Sequence, residues 1–272
     1  MKVLVTGSSG RVGTAIMNHL PKKGAYDVTG LDIVDHPEHE TIVADLRDSK
    51  AVHQACADQD AIVHAGHNVA LNSETRTVQW NGALLDNLWS GTLVFQAAAE
   101  ANVDSVVYAS SNHVVGGYED EHAPELYDLG YELTLGPDAT PRPDSLYAVQ
   151  KLYDESMGRF VATQYDLAVY AIRIGNVQPP ETDSPHLAVA AGEHEPGSTA
   201  HERQIRRMRA MWFSRRDVAN MIDACLRDDT VSFNVFYGVS DNERSWFDIE
   251  HAKRTIGYTP ADDGEAAPPT KE

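Results

Sequence analysis

The first thirteen residues constrain this 272-residue chain most. Residues 2–6 (KVLVT) read as a short buried strand, which runs directly into TGSSGRVG at 6–13. An apolar-periodic stretch carrying Val12, Ile16 and Leu20 follows and reads as a helix. Gly7, Gly10 and Gly13 are spaced as GxxGxxG. Glycine there permits a tight turn, close backbone approach to a ligand and close packing of helix on strand. The helix N-terminus then offers free N–H groups to phosphate. Strand, turn and helix come in the order a dinucleotide cradle requires. Gly7, Gly10, Arg11, Val12 and Gly13 are the expected cofactor contacts.

A second strand, residues 27–31, ends at Asp32. An acid at this distance from the glycines accepts the adenine-ribose hydroxyls and repels a 2′-phosphate, so NAD is expected over NADP. Arg11 is the one feature that would help NADP. Residues 41–44 read as a strand ending at Asp45-Leu46, on the adenine side. Residues 60–64 read as another, leading to Ala65-Gly66 on the nicotinamide side. A long helix at 84–101 carries Asn87 near its start, and 105–109 reads as a fifth strand. Alternating strands and helices predict an α/β fold with a doubly wound parallel sheet. Right-handed crossovers then place these sites at one sheet edge.

Tyr147 and Lys151, in LYAVQK at 146–151, share one face of the helix expected to follow. Free tyrosine has a pKa of roughly 10, and a nearby positive charge lowers it. A lone YxxxK pair is common. It gains weight from SSNHVVG at 110–116, because hydroxyls at the end of such a strand face the ligand crevice.

With these residues in place, the chain resembles the extended short-chain dehydrogenase/reductase family. The resemblance rests on TGSSGRVG, Asp32, Asp45-Leu46, Asn87, SSNH at 110–113 and YAVQK at 147–151. It runs from Met1 to about Arg173. Within the family, ASSNHVVGGYE at 109–119, PRPDSLYAVQK at 141–151, IRIGN at 172–176, RMRAMWFSRRD at 207–217 and YGVSDNE at 237–243 are similar to sugar C1-dehydrogenases. These are uronate dehydrogenases and the NAD-dependent glucose-6-phosphate dehydrogenases of salt-loving archaea. That likeness spans nearly the whole chain. It implies Ser111, Tyr147 and Lys151 as catalytic residues, the last two also touching the cofactor. It implies Ser111, Asn112, His113, Asn176 and Arg207 as substrate contacts, with Arg207 gripping an anionic group. Residues 72–86 and 178–202 run longer than the family norm and border the expected substrate side. The family fold interleaves a small C-terminal substrate region with the cradle. One domain is therefore expected: 1–165 mainly binds dinucleotide, 166–260 mainly binds substrate, and 261–272 is a disordered tail.

In the second half, 119–145 reads as a polar flap and 178–200 as a flexible loop rich in Pro, Gly, Glu and His. His186, His194 and His201 with Glu193 and Glu195 fit no usual zinc spacing, so no metal is expected. Arg203, Arg206, Arg207 and Arg209 cluster within seven residues. A guanidinium fork suits phosphate or carboxylate, though pairing with the chain's own acids is the competing reading for each.

The formal charge of −19 makes nucleic acid and acidic membranes poor partners. Of 22 basic residues 7 are lysine and 15 arginine, a balance resembling proteins of salt-loving organisms. Strong screening there makes self-repulsion tolerable. Cys56 and Cys225 lie in apolar helical patterns and read as reduced core thiols. No run of about 20 apolar residues is present, and the start is too soon interrupted for a signal peptide, so a cytoplasmic enzyme is expected. By family resemblance it forms a homo-oligomer through its two long helices. The expected reaction is NAD-dependent oxidation of a cyclic sugar at its anomeric carbon to a lactone. A sugar phosphate such as glucose 6-phosphate ranks first, a uronate second and a neutral aldose third. A nucleotide-sugar epimerase or dehydratase is the alternative. A non-catalytic redox sensor is disfavoured by the joint presence of Ser111, Tyr147 and Lys151.

Overall fold

The structure, a computed structural model, describes residues 1–36, 38–68 and 82–266. Seven strands pair in parallel: β1 (Lys2–Thr6), β2 (Asp27–Asp32), β3 (Thr41–Val43), β4 (Ala61–His64), β5 (Ser105–Ser111), β6 (Ala168–Ile174) and β7 (Phe233–Gly238). Their order is β3-β2-β1-β4-β5-β6-β7. The direction of winding reverses between β1 and β4, and such a switch opens a ligand crevice at the carboxyl ends of the strands. The expected doubly wound sheet is present. β4 and β5 are buried along their whole length, as strands covered on both faces must be.

The helices are α1 (Arg11–His19), α2 (Ser49–Cys56), α3 (Gly82–Ala101), α4 (Gly116–His122), α5 (Leu146–Gln164), α6 (Pro185–Ala190), α7 (Thr199–Met211), α8 (Arg215–Arg227) and α9 (Ile249–Ile256). On one sheet face α1, α8 and α9 bury Ile16, Met221, Ile222 and Ile256. On the other, α2, α3 and α5 bury Val52, Val94, Phe95 and Val161. A third apolar cluster, including Val115, Leu126, Met211, Tyr237 and Trp246, joins the carboxyl ends of the strands to α7 and α9. Cys56 and Cys225 are buried free thiols, and burial pushes Cys56 up to about 12.

Several expectations need correction. Residues 178–200 are not all loop. Ser184 caps α6 by accepting from the Leu187 N–H at 3.2 Å, with Pro185 in the first turn, and α7 already begins at Thr199. The flap expected from residue 119 begins inside α4, with Glu119 buried. The tail is not disordered from 261. Asp262 forks onto Arg216 and its N–H reaches Asp217, while Glu265 pairs with Arg209 and Arg244. Acids of the segment that reads as a disordered tail here meet arginines from distant segments. Residues 267–272, and most of the expected 72–86 insertion, lie outside the described residues. Among the described residues no helix is long and apolar enough to cross a membrane.

Candidate active site

The glycine turn leaves no room for side chains. Gly7 has φ +69°, and a Cβ there would lie 2.5 Å from the Gly66 Cα. A Cβ on Gly13 would lie 2.7 Å from the Ser8 Cα. The β1 exit, the β4 exit and the start of α1 therefore pack backbone on backbone. The α1 N-cap is Gly10, which has no side chain to occupy the first-turn N–H groups. This cradle fits a dinucleotide, whose pyrophosphate needs direct backbone approach. Gly13→Ala is expected to abolish NAD binding and to lower the melting temperature. Wild-type NAD affinity in a calorimetric titration of that variant would show that the turn has slack.

Asp32 closes the cradle on its ribose side. Its carboxylate accepts from the Ser9 N–H at 2.9 Å and the Val34 N–H at 3.2 Å. Leu46 packs its tip against Gly66. Asp45 is forked by Arg47, which also reaches Asp86, and this pairing holds its carboxyl below the usual range. The Asn87 carboxamide exchanges hydrogen bonds with the Asn68 backbone, at 2.6 and 3.3 Å, just beyond Ala65-Gly66. Arg215 escaped the sequence reading. It is buried, and its guanidinium donates to the Arg11 carbonyl at 3.2 Å and the Thr14 hydroxyl at 3.1 Å, tying α8 to the cradle. Val12 packs on the first core beside it.

Ser111, Tyr147 and Lys151 converge at the end of β5. Ser145 caps α5 through the Ala148 N–H, which sets the helix phase that turns Tyr147 and Lys151 toward the strand. The Ser111 hydroxyl lies near enough to the Tyr147 phenol to favour its ionised form, and it accepts from the His113 N–H at 3.2 Å. The Lys151 ammonium lies 5.6 Å from the Tyr147 ring centre and donates to the Ala109 carbonyl at 2.8 Å. Burial pulls Lys151 down to about 8, against the opposing pull of Asp154 and Glu155. The expectation that the phenol is lowered is corrected for the protein by itself: burial raises Tyr147, Asp144 adds to this, and only the neighbouring Ser111 hydroxyl opposes it. The lysine charge is turned toward a carbonyl and the Tyr108 ring, 4.9 Å away.

Two imidazoles flank the phenol. His113 stands edge-on at 6.1 Å and is fixed by Asp144 at 2.6 Å. His67 lies at 5.6 Å and is kept neutral, pulled down to about 4 by burial and by Lys151. Its place directly after Ala65-Gly66 at a strand end was the available signal for it. Asn112 meets the Met211 sulfur at 3.6 Å, and the Asn176 carboxamide is held by Gln178. The Asn176 backbone also bridges to Trp212, which fastens the end of α7 to the end of β6.

The arginine cluster is largely paired within the chain. Arg206 meets Asp128, Arg209 meets Glu265 and His186, and Arg207 forks onto Glu119 at 2.5 and 3.2 Å. The charge concentration that pointed to an anionic substrate is thus offset, because the acids of α4 and the tail come back to α7.

Comparison with known proteins gives a consistent picture. A profile of the "NAD dependent epimerase/dehydratase family" matches residues 3–235. An NAD-dependent glucose-6-phosphate dehydrogenase of Haloferax volcanii is 33% identical over 96% of this chain and 93% of its own. An L-arabinose 1-dehydrogenase (NAD(P)(+)) of the same organism is 28% identical over 96% of each. A mutant uronate dehydrogenase from Agrobacterium tumefaciens, solved in complex with NAD, superposes with a TM-score of 0.72. It is 25% identical over 97% of this chain and 86% of that one.

Proposed function

The chain belongs to the NAD dependent epimerase/dehydratase family, and we propose that it is an NAD-dependent dehydrogenase oxidising a cyclic sugar at its anomeric carbon. The observation that carries this reading is the meeting of Ser111, Tyr147 and Lys151 beside a cradle open only to backbone approach. Two relatives matched over nearly their full length, the glucose-6-phosphate and L-arabinose enzymes, are sugar dehydrogenases, which favours oxidation over epimerisation.

Gly7 to Gly13 and Asp32 would hold NAD, which would supply the hydride acceptor when bound. Tyr147 takes the proton of the anomeric hydroxyl as the C1–H bond is given up as hydride. Ser111 hydrogen-bonds the same oxygen and steadies it as it becomes the lactone carbonyl. Lys151 lies behind the phenol and favours its ionised form when the cofactor's positive charge adds to its own. His67 and His113 present neutral-ring and carboxylate-anchored edges to the sugar hydroxyls. Atoms balance: sugar and NAD⁺ give lactone, NADH and one proton.

The decisive experiment follows NADH formation at 340 nm, in dilute buffer and in molar salt, with glucose 6-phosphate, glucuronate, galacturonate, arabinose and xylose. Formation with at least one sugar is expected. Tightly retained cofactor with no net NADH from any of them would favour the epimerase.

The enzyme is further read as cytoplasmic, salt-adapted and homo-oligomeric. The acidic, lysine-poor composition supports the second. Exposed Leu85 and Trp89 on α3, beside exposed Val149, Tyr153 and Phe160 on α5, support the third. Light scattering that gives a monomer mass, or full stability without salt, would remove the corresponding reading.

A further inference from the structure

Resting on the sugar reading, the geometry points to Glu119 as the residue that sets substrate class: by neutralising Arg207 at the edge of the site, it makes the enzyme select neutral aldoses over sugar phosphates and uronates.

Arg207 is placed at the site by its helix. Met211, one turn further along α7 on the same face, touches Asn112, and the Met211 carbonyl accepts from the Asn176 N–H at 2.7 Å. Glu119 is placed there by α4, which follows the Asn112–Val115 turn, and it is close enough for His113 to influence its ionisation. The two meet side-on, Nε to Oε1 at 2.5 Å and a terminal nitrogen to Oε2 at 3.2 Å. Tyr127 donates to the same carboxylate at 2.6 Å. Burial would raise Glu119, but the Arg207 charge and hydrogen bonds outweigh it and hold the carboxyl below its ordinary value. Both members are therefore charged.

The exposures are unequal. The Arg207 side chain is 23% exposed and that of Glu119 is 7%. The N–H groups of the guanidinium that are not spent on Glu119 are the ones left for an incoming sugar, and the more exposed arginine side chain is the one it would reach first. Those N–H groups can donate to a hydroxyl or ring oxygen. The pair as a whole carries no net charge, so it offers little to a phosphate or carboxylate. Bringing a second anion beside a buried, partly desolvated carboxylate is opposed by repulsion that water screens poorly. A lone arginine would act in the opposite sense.

The test compares kcat/KM for arabinose and xylose with that for glucuronate and glucose 6-phosphate, in wild type, Glu119→Gln and the double variant Glu119→Gln/Arg207→Met. The amide keeps an acceptor for Tyr127 and removes the charge. Wild type is expected to prefer the neutral sugars. Glu119→Gln should raise the anionic-to-neutral ratio by about tenfold, through KM for the anionic sugars rather than kcat. The double variant, which lacks both charges, should bring the ratio back toward wild type and guards against a folding defect in the single one. A wild type that prefers anions, or a ratio unmoved or lowered in Glu119→Gln, overturns the proposal and leaves the dehydrogenase reading standing. No NADH from any sugar removes that reading, and this one with it.

Discussion

Tyr147→Phe is expected to lower sugar-dependent NADH formation by about 10²–10⁴-fold, the range for losing a positioned acid–base group, while NAD binding is kept. The variant removes one oxygen and leaves the ring that packs between His67 and His113. Ser111 keeps its partner, the His113 N–H at 3.2 Å. The cradle, built from backbone, is untouched. The loss should therefore fall on kcat, with calorimetric NAD affinity unchanged. Lys151→Met should lose turnover as well, because it removes the charge 5.6 Å from the phenol ring, and as a proposed cofactor contact its loss should weaken NAD binding. In wild type the phenolate fraction grows with pH although burial holds the phenol above its ordinary value, while Lys151, pulled down to about 8, gives up its charge around that pH. Activity should climb toward that pH and level off or fall above it. A Tyr147→Phe enzyme within tenfold of wild type would mean that the proton leaves by another route.

What the sequence disclosed and what it hid divide along a physical line. Strands and long helices were legible because their signals are local. Apolar runs at 2–6 and 105–109, and an apolar-periodic segment at 152–165, specify elements whoever their neighbours are. The strand at β5 ran two residues further than its apolar run because Ser110 and Ser111 still pair with Arg173 and Ile174 of β6. The convergence of Ser111 with Tyr147 and Lys151 was legible through order along the chain, since parallel strands bring their carboxyl ends to one edge. Partner choice was not legible. Arg207 and Glu119 are separated by 88 positions, and nothing near either names the other. Arg216 and Asp262 are separated by 46. In a chain so acidic every arginine has many possible partners, and only the fold selects among them. The tyrosine's ionisation was misread for the same reason: four-residue spacing gives proximity, but the direction of the lysine head is fixed by the Ala109 carbonyl on another strand.

Arg173→Met is expected to destabilise the protein by about 3–5 kcal/mol, the usual cost of orphaning one member of a buried ion pair. For a chain of this size that corresponds to a fall in melting temperature of roughly 6–20 °C. Arg173 and Glu155 are each almost fully buried and meet through two parallel bonds, at 3.0 and 2.9 Å. Ser110 donates to the same carboxylate at 2.6 Å, and Arg173 reaches the Tyr237 hydroxyl at 3.2 Å. The network thus binds β5, α5, β6 and β7 directly behind the proposed catalytic group: Ser110 precedes Ser111, and Glu155 sits one turn beyond Lys151. Methionine fills much of the volume but leaves Glu155 charged in the interior, with the Ser110 hydroxyl as its hydrogen-bond donor and Lys151 as the nearby positive charge. Adding Glu155→Gln should recover a large part of the loss, because the penalty lies in the unpaired charge rather than in the missing attraction. Turnover measured well below the melting point should fall too, since the strand end and the helix turn that present Ser111 and Lys151 would no longer be held in register. A melting temperature within about 2 °C of wild type would show that water reaches Glu155 and that the pair contributes little to holding these strands together.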